Sequence, residues 1–431
     1  MNINSKNTKS RSLQSRIFLT LGLLSIVRLG SFIPVPYLDR ESFFSILEKE
    51  NSSISAFAQV VNSFSGSKTN SFGLLSLGIL PYINASIVVQ LLTTAIPSLA
   101  KMQKEDGEYG RRKITEYIRY LTFFWAIVES LSLTYSLKAL IFDWGFWTAA
   151  QISLCLISGS MIVLWFSELI TKNGLGNGSS LLICFNIVSS LPEQIKAFVL
   201  SLQGQSNALE SSLFLGLVFL VTTVGCIYIN EATIRIPLVS ARQLLRKAET
   251  KSKEVGNTSL PLKINQAGVM PLVFTSYAMV LLSSLMSILK TQLSNPFFFL
   301  NENLLFWGGK LIFWGIYASL IFFFTYFYST IVLDPKDVAE RLRKNSVVIL
   351  GISPGNATKT YLSKTLKRIA SINALFLISN IIGIQVIESF LTLNLVSLRG
   401  LGFTSQLILV NVLIDTLKRI RSFLNEEEMT T

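Results

Sequence analysis

Long apolar runs, broken at intervals by short polar and basic stretches, set the rhythm of this chain. Ten of them approach or exceed the roughly 20 residues that cross a bilayer core of about 30 Å. They are Ile17–Ile33, Phe72–Ile96, Ile114–Leu137, Thr148–Ile170, Ser179–Phe198, Ser211–Asn230, Gln266–Leu289, Leu305–Leu333, Leu366–Val386 and Gly402–Leu417. In hydrocarbon every backbone N–H and C=O must find its partner within the segment or a closed barrel, so runs of this length predict helices. Gly, Pro and Asn cluster between runs, as in NGLGNG (Asn173 to Gly178) and GISPGN (Gly351 to Asn356), and mark loops. The pattern therefore predicts an all-α integral membrane protein with ten transmembrane helices.

One run breaks its own pattern. GILPYINASIVVQLL, Gly78 to Leu92, places Pro81, Asn84 and Ser86 among aliphatic residues. An amide left unpaired in hydrocarbon costs about 2–7 kcal/mol, so Asn84 faces something other than lipid. Two readings fit. Pro81 kinks the helix and Asn84 bonds a neighbouring helix, as polar groups between membrane helices do. Alternatively, the helix lines an aqueous path, with Ile79 and Ile83, four apart, stacked on one face. These residues alone leave both open.

Charge adds a direction. Only 15% of the 431 residues are charged, yet the net charge is +13. Of 38 Lys and Arg, 29 fall in the two tails and every second loop. That bias puts both termini and the long basic loops on the cytosol-equivalent side. A basic stretch precedes the first run without a small-residue cleavage site after it, so a secretory signal peptide is not expected. Cys155, Cys184 and Cys226 lie in apolar runs and read as small core residues, not a disulfide set. There is no histidine and no Walker-type phosphate loop, so neither a metal, a cofactor nor nucleotide hydrolysis is expected, and the chain is not read as an enzyme.

The runs GSFIPVP (Gly30–Pro36), LGILPYINASIVVQLL (Leu77–Leu92), GEYGRRKITEYIRYLT (Gly107–Thr122), NGLGNGSSLL (Asn173–Leu182), LPLKINQAGVMP (Leu260–Pro271) and GFTSQLILV (Gly402–Val410) resemble the SecY family, in order and over nearly the whole chain. SecY is the large subunit of the protein-conducting channel. The resemblance implies ten helices in two pseudo-symmetric halves of five, residues 1–200 and 201–431, with a lateral gate and a plug helix. It implies a waist of apolar side chains at Ile79, Ile83, Ile183, Val273 and Ile408, with Ser179 where the family often has Ile. Such a ring dewets and blocks ions, and aliphatic groups seal around a passing peptide without binding any sequence. The plug would be 52–68, with Ile54, Phe57, Val60 and Val61 at helical spacing on one apolar side. Asn84, Glu129, Thr275 and Ser276 would sit in the lateral gate, where spans two and three part from seven and eight.

The basic loops 235–263 and 336–368 are the expected partner sites, with Arg235, Arg242, Arg246 and Lys247 in the first and Arg341, Arg343 and Lys344 in the second. Polybasic segments beside a membrane also bind anionic lipid. The resemblance implies a SecE-like subunit, a SecA-like motor ATPase, ribosomes and precursors with signal sequences as partners, and leaves a third small subunit open. Two departures bear on docking: Ser353 stands where the family commonly has Arg, and Arg235 where two basic residues are usual. EATIRIPLVSARQLL (Glu231–Leu245) resembles algal plastid members, and the heavy use of Phe, Ile, Asn, Ser and Lys fits an AT-rich organelle genome. The expected function is therefore the central channel subunit that carries unfolded precursors across, and inserts membrane proteins into, the plastid thylakoid membrane. The basic loops would face the stroma. A bacterial inner membrane is the alternative location. The rival function is a secondary transporter for a small solute, which also uses broken helices and midplane polar groups. A ring of Ile and Val offers such a solute no ligands.

Overall fold

A computed structural model describes residues 13–37, 73–104, 107–136, 138, 141–202, 208–240, 259–276, 278–279, 282, 302–390 and 403–430. The helices are α1 (Leu13–Ser31), α2 (Leu80–Ala95), α3 (Pro97–Lys104), α4 (Gly107–Ser136), α5 (Phe146–Asn173), α6 (Gly178–Leu202) and α7 (Ala208–Glu231). Strands β1 (Thr233–Ser240) and β2 (Ser259–Lys263) follow, then α8 (Glu302–Val332), α9 (Pro335–Lys344), β3 (Val347–Ile349), α10 (Asn356–Phe390) and α11 (Phe403–Thr430). Nine of the ten expected spans coincide with one of these helices; the seventh is helical over 270–276, and most of its remainder lies outside the described residues. Stretches of α1, α5, α8 and α10 are long and apolar enough to cross a membrane individually.

The second span departs from expectation at its start. Its apolar run opens at Phe72, but helix begins only at Leu80, so Pro81 stands in the first turn and makes no mid-helix kink. There the missing N–H of proline breaks no helical bond, and its fixed φ suits the helix start. Residues 73–79 instead form successive turns, with Ser76 N–H donating to Gly73 O and Gly78 N–H to Leu75 O. Gly78 takes φ +55°, which stops a helix from running back through it. Leu75, Ser76 and Leu77 are buried, and protein-buried segments are where a membrane protein tolerates irregular backbone.

The chain divides into two compact units, Met1–Ala197 with Val412–Thr431, and Phe198–Asn411. In the first, α4 packs against α2 and α5, and α1 against α5. Small buried residues recur on both helices, one turn apart on α4 (Thr122, Ala126, Ser130 and Thr134) and two turns apart on α5 (Ser153, Ser160 and Ser167), and the hydroxyls of Thr134 and Ser153 meet at 3.3 Å. Side chains this small let helix backbones approach, which replaces the hydrophobic drive that lipid does not supply. Gly159 of α5 also admits a close neighbour: an added Cβ there would lie 2.1 Å from the carbonyl oxygen of Leu74, in the turns that precede α2.

In the second unit, α10 is the spine and carries α8, α9 and a three-stranded sheet. The sheet has order β2-β1-β3, antiparallel throughout, with Thr233 opposite Lys263 and Leu238 opposite Ile349. The basic loops gave no expectation of a sheet. Ile236, Leu238, Leu262 and Ile349 point inward onto Leu362, Leu366 and Ile369 of α10 and form a buried core there. At 1.5 Å per residue, the 35 residues of α10 measure about 50 Å, enough to span hydrocarbon and still support this sheet.

Candidate functional site

The proposed waist residues lie on helix positions set by local chemistry. Ile79 is the N-cap residue of α2, and the N–H of Ile83 donates to its carbonyl at 3.1 Å, so the two stand one turn apart. Both are buried, as are Val273 in the helical turn 270–276 and Ile408 near the start of α11; Ile183 of α6 is half-buried. Each of these elements presents a bare aliphatic side chain. Ser179, the odd member, turns its hydroxyl back onto Asn177 Oδ1 at 2.9 Å.

Asn84 is satisfied within its own unit. Its Nδ2 donates to Glu129 Oε1 at 2.6 Å, joining α2 to α4. Thr275 and Ser276 donate their hydroxyls to the carbonyls of Pro271 and Leu272, one turn back in their own helix. The Phe274 ring packs at a tilt against both Phe324 and Tyr328, with centroids 5.6 Å apart, which seats 270–276 against α8. The residues expected to form a plug, Ile54, Phe57, Val60 and Val61, lie outside the described residues, as do Arg242, Arg246 and Lys247.

The basic-loop residues that are described stand open to a partner. Arg235 projects from β1 into solvent, and Arg341, Arg343 and Lys344 are exposed on α9. Asp334 caps α9 by accepting from the N–H of Lys336 at 3.0 Å, and the cations of the last turn sit at the negative end of its dipole. A cavity of about 130 Å³ between α9 and the start of α10 is lined by Lys336, Arg343, Lys359 and Asn356 among others. Ser353, in the neighbouring loop, accepts a bond from Thr358 Oγ1 through its carbonyl.

Three polar features carry no mark in the sequence. Arg119 of α4 holds Glu168 of α5 with two nitrogens, Nε donating to Oε1 at 2.6 Å and Nη2 to Oε2, with Lys172 Nζ 3.9 Å from the same carboxylate. This pair, with Tyr82, Arg112, Asn177 and Arg419, lines a cavity of about 720 Å³ in the first unit. In the second unit Gln406 of α11 accepts from Thr222 of α7 and donates to Thr223. Asn230, Asn265 and Asn373 form a buried chain of amides. Apart from Lys172 and Glu168, one turn apart on α5, the partners are 35 to 184 residues apart, so no local pattern marks them.

Similarity to known proteins agrees with this architecture. A family model described as SecY matches residues 73–417. The chain is 66% identical to a protein translocase subunit SecY of Vaucheria litorea, over 99% of each chain. Its fold is similar to that of a solved protein-conducting channel, with a TM-score of 0.63 at 15% identity over 98% of this chain and 95% of that one. It is also similar to Sec61 in a canine ribosome–channel complex from the endoplasmic reticulum, with a TM-score of 0.57 at 16% identity over 98% and 95%. The match over most of the chain's length, together with the near-complete coverage of a relative at this identity, places the protein in the SecY family.

Proposed function

We propose that the chain is the channel subunit of a protein translocase in a plastid thylakoid membrane, where it carries unfolded precursors across and releases apolar helices sideways into lipid. The observation that carries this reading is membership of the SecY family over nearly the whole sequence. Ile79, Ile83, Ile183, Val273 and Ile408 form the waist, each an aliphatic group that excludes ions and grips no particular sequence. Asn84 and Glu129 belong to one wall of the lateral gate and Thr275 and Ser276 to the other. Bonds between membrane helices average well under about 2 kcal/mol, weak enough for an arriving signal helix to replace. Residues 52–68 serve as the plug.

Arg235, Arg242, Arg246, Lys247, Arg341, Arg343 and Lys344 receive a SecA-like motor and ribosomal RNA on the stromal side, and a SecE-like subunit clamps the two halves. The similarity to a channel found on a ribosome and the exposed cations of α9 support that assignment. The plastid location is supported by the likeness of Glu231–Leu245 to algal plastid members and by the Vaucheria relative.

A photoreactive residue at Ile83 or Ile408, with a secretory precursor stalled in transit, tests the reading. Crosslinks to the precursor from both positions are expected. Capture from neither, with accumulation of a small solute in vesicles, would establish the transporter instead.

A further inference from the structure

Three buried amides join the root of the β1–β2 hairpin to the segment that leads into 270–276. Asn373 Nδ2 donates to Asn265 Oδ1 at 3.1 Å, and Asn265 Nδ2 donates to Asn230 Oδ1 at 2.6 Å. The side chains are only 1%, 6% and 7% exposed for Asn373, Asn265 and Asn230. Asn230 is the last residue but one of α7, Asn265 lies two residues beyond β2, and Asn373 sits in the middle of α10.

The residues on either side of Asn265 are tied down as well. The N–H of Ile264 donates to Ala232 O at 2.9 Å and extends the strand ladder to the end of α7. Gln266 Oε1 lies 3.5 Å from Ser329 Oγ of α8. Two residues later Gly268, at φ +61°, turns the chain into 270–276, the helical segment that holds Val273, Phe274 and Thr275.

This joint is costly in stability. Asn230 Nδ2 and Asn373 Oδ1 are buried without a hydrogen-bond partner among the described residues. Each such atom forfeits about 1–3 kcal/mol, and apolar side chains of the same shape would fill the space at lower cost. What apolar packing lacks is direction: an amide bonded at both ends fixes distance and angle, whereas aliphatic contacts slide.

We propose that Asn265 is a positioning residue, which locks the start of 270–276 to α10 and to the root of the basic hairpin. A partner seated on the hairpin then acts on the helical segment carrying Val273 through a rigid joint. This rests on the translocase reading above for the identity of the partner, but the joint itself does not.

Two measurements on the full chain, reconstituted with its SecE-like subunit, test it. In the first, Asn265→Leu and Asn373→Leu are compared with wild type for motor affinity and for motor-driven precursor transport. Transport is expected to fall about tenfold, the effect of losing one to two hydrogen bonds' worth of coupling, at unchanged motor Kd. Asn265→Asp in its protonated form keeps a carbonyl acceptor for Asn373 and an O–H donor for Asn230 Oδ1, so it retains most of the rate. Wild-type transport in Asn265→Leu, or a loss of motor binding in parallel with transport, overturns the proposal.

In the second, spin labels at Arg235→Cys and Leu282→Cys, with Cys155, Cys184 and Cys226 replaced by Ala, report the hairpin-to-helix distance without any transport. Asn265→Leu is expected to broaden that distribution about twofold, as a local joint loosens. An unchanged width overturns the joint. If wild type carries no precursor, the translocase reading falls while the spin-label width still decides the role of Asn265.

Discussion

Arg119 and Glu168 show what a single residue contributes when its partner is distant in sequence. Among the basic residues of its region Arg119 counts equally with Arg112, yet their surroundings differ. The Arg119 side chain is 43% exposed and grips a carboxylate that is 19% exposed, whereas Arg112 is 79% exposed and reaches Glu108 only at 3.6 Å. An exposed i,i+4 pair is worth about 0.3–0.5 kcal/mol, while removing Arg119 takes a bidentate, charge-assisted partner from a mostly buried carboxylate. Arg119→Ala is therefore expected to cost about 1–3 kcal/mol, and Arg112→Ala less than about 1 kcal/mol. Thermal unfolding of the purified protein in detergent checks the ranking. Equal melting temperatures would show that the bidentate pair adds nothing. Asn84 illustrates the same point. Its need for a partner could be read from the sequence, but that Glu129 answers it depends on α2 and α4 being neighbours.

Elements are fixed by backbone approach as much as by apolar pattern. Two glycines inside helices predict opposite outcomes on gaining a methyl group. Gly159 of α5 has no room, since its new Cβ would meet the Leu74 carbonyl at 2.1 Å, while Gly216 of α7 has nothing within 4 Å among the described residues. Gly159→Ala must push the 73–79 turns away from α5 and is expected to cost about 1–3 kcal/mol. Gly216→Ala removes only the entropic penalty of glycine in a helix and is expected to gain about 0.5–1 kcal/mol. Denaturation midpoints of the two variants check this, and shifts of the same sign would contradict the close seating of the 73–79 turns on α5. The start of α2 follows the same logic. Apolar character alone extends that span back to Phe72, but Gly78 and Pro81 start the helix at Leu80. The hydrophobic run and the helix differ because 73–79 is buried by other protein segments and has no lipid to face.

At the scale of the whole molecule, the proposed waist predicts a linked pair of defects. Ile79→Asp with Ile83→Asp puts two carboxylates one helical turn apart where aliphatic groups stood, and wetting of that constriction is expected. Resting ion conductance of reconstituted vesicles should rise and precursor transport should fall together. Tight vesicles that still export would place the constriction elsewhere. By itself the sequence determined the membrane class, the approximate position of nine helices and the family, because length and hydropathy of a span are local properties set by the bilayer. It did not determine the sheet in the basic loops. β1 and β3 pair across more than a hundred residues, and their short strands are stabilised by the apolar face they share with α10. Nor did it determine the Arg119–Glu168 pair or the amide chain through Asn265, which exist only where separate helices bring them within hydrogen-bond reach. A hydrophobic stretch announces itself because every residue in it meets the same solvent. A polar contact stays silent until folding supplies its partner, and only the tertiary structure decides which one that is.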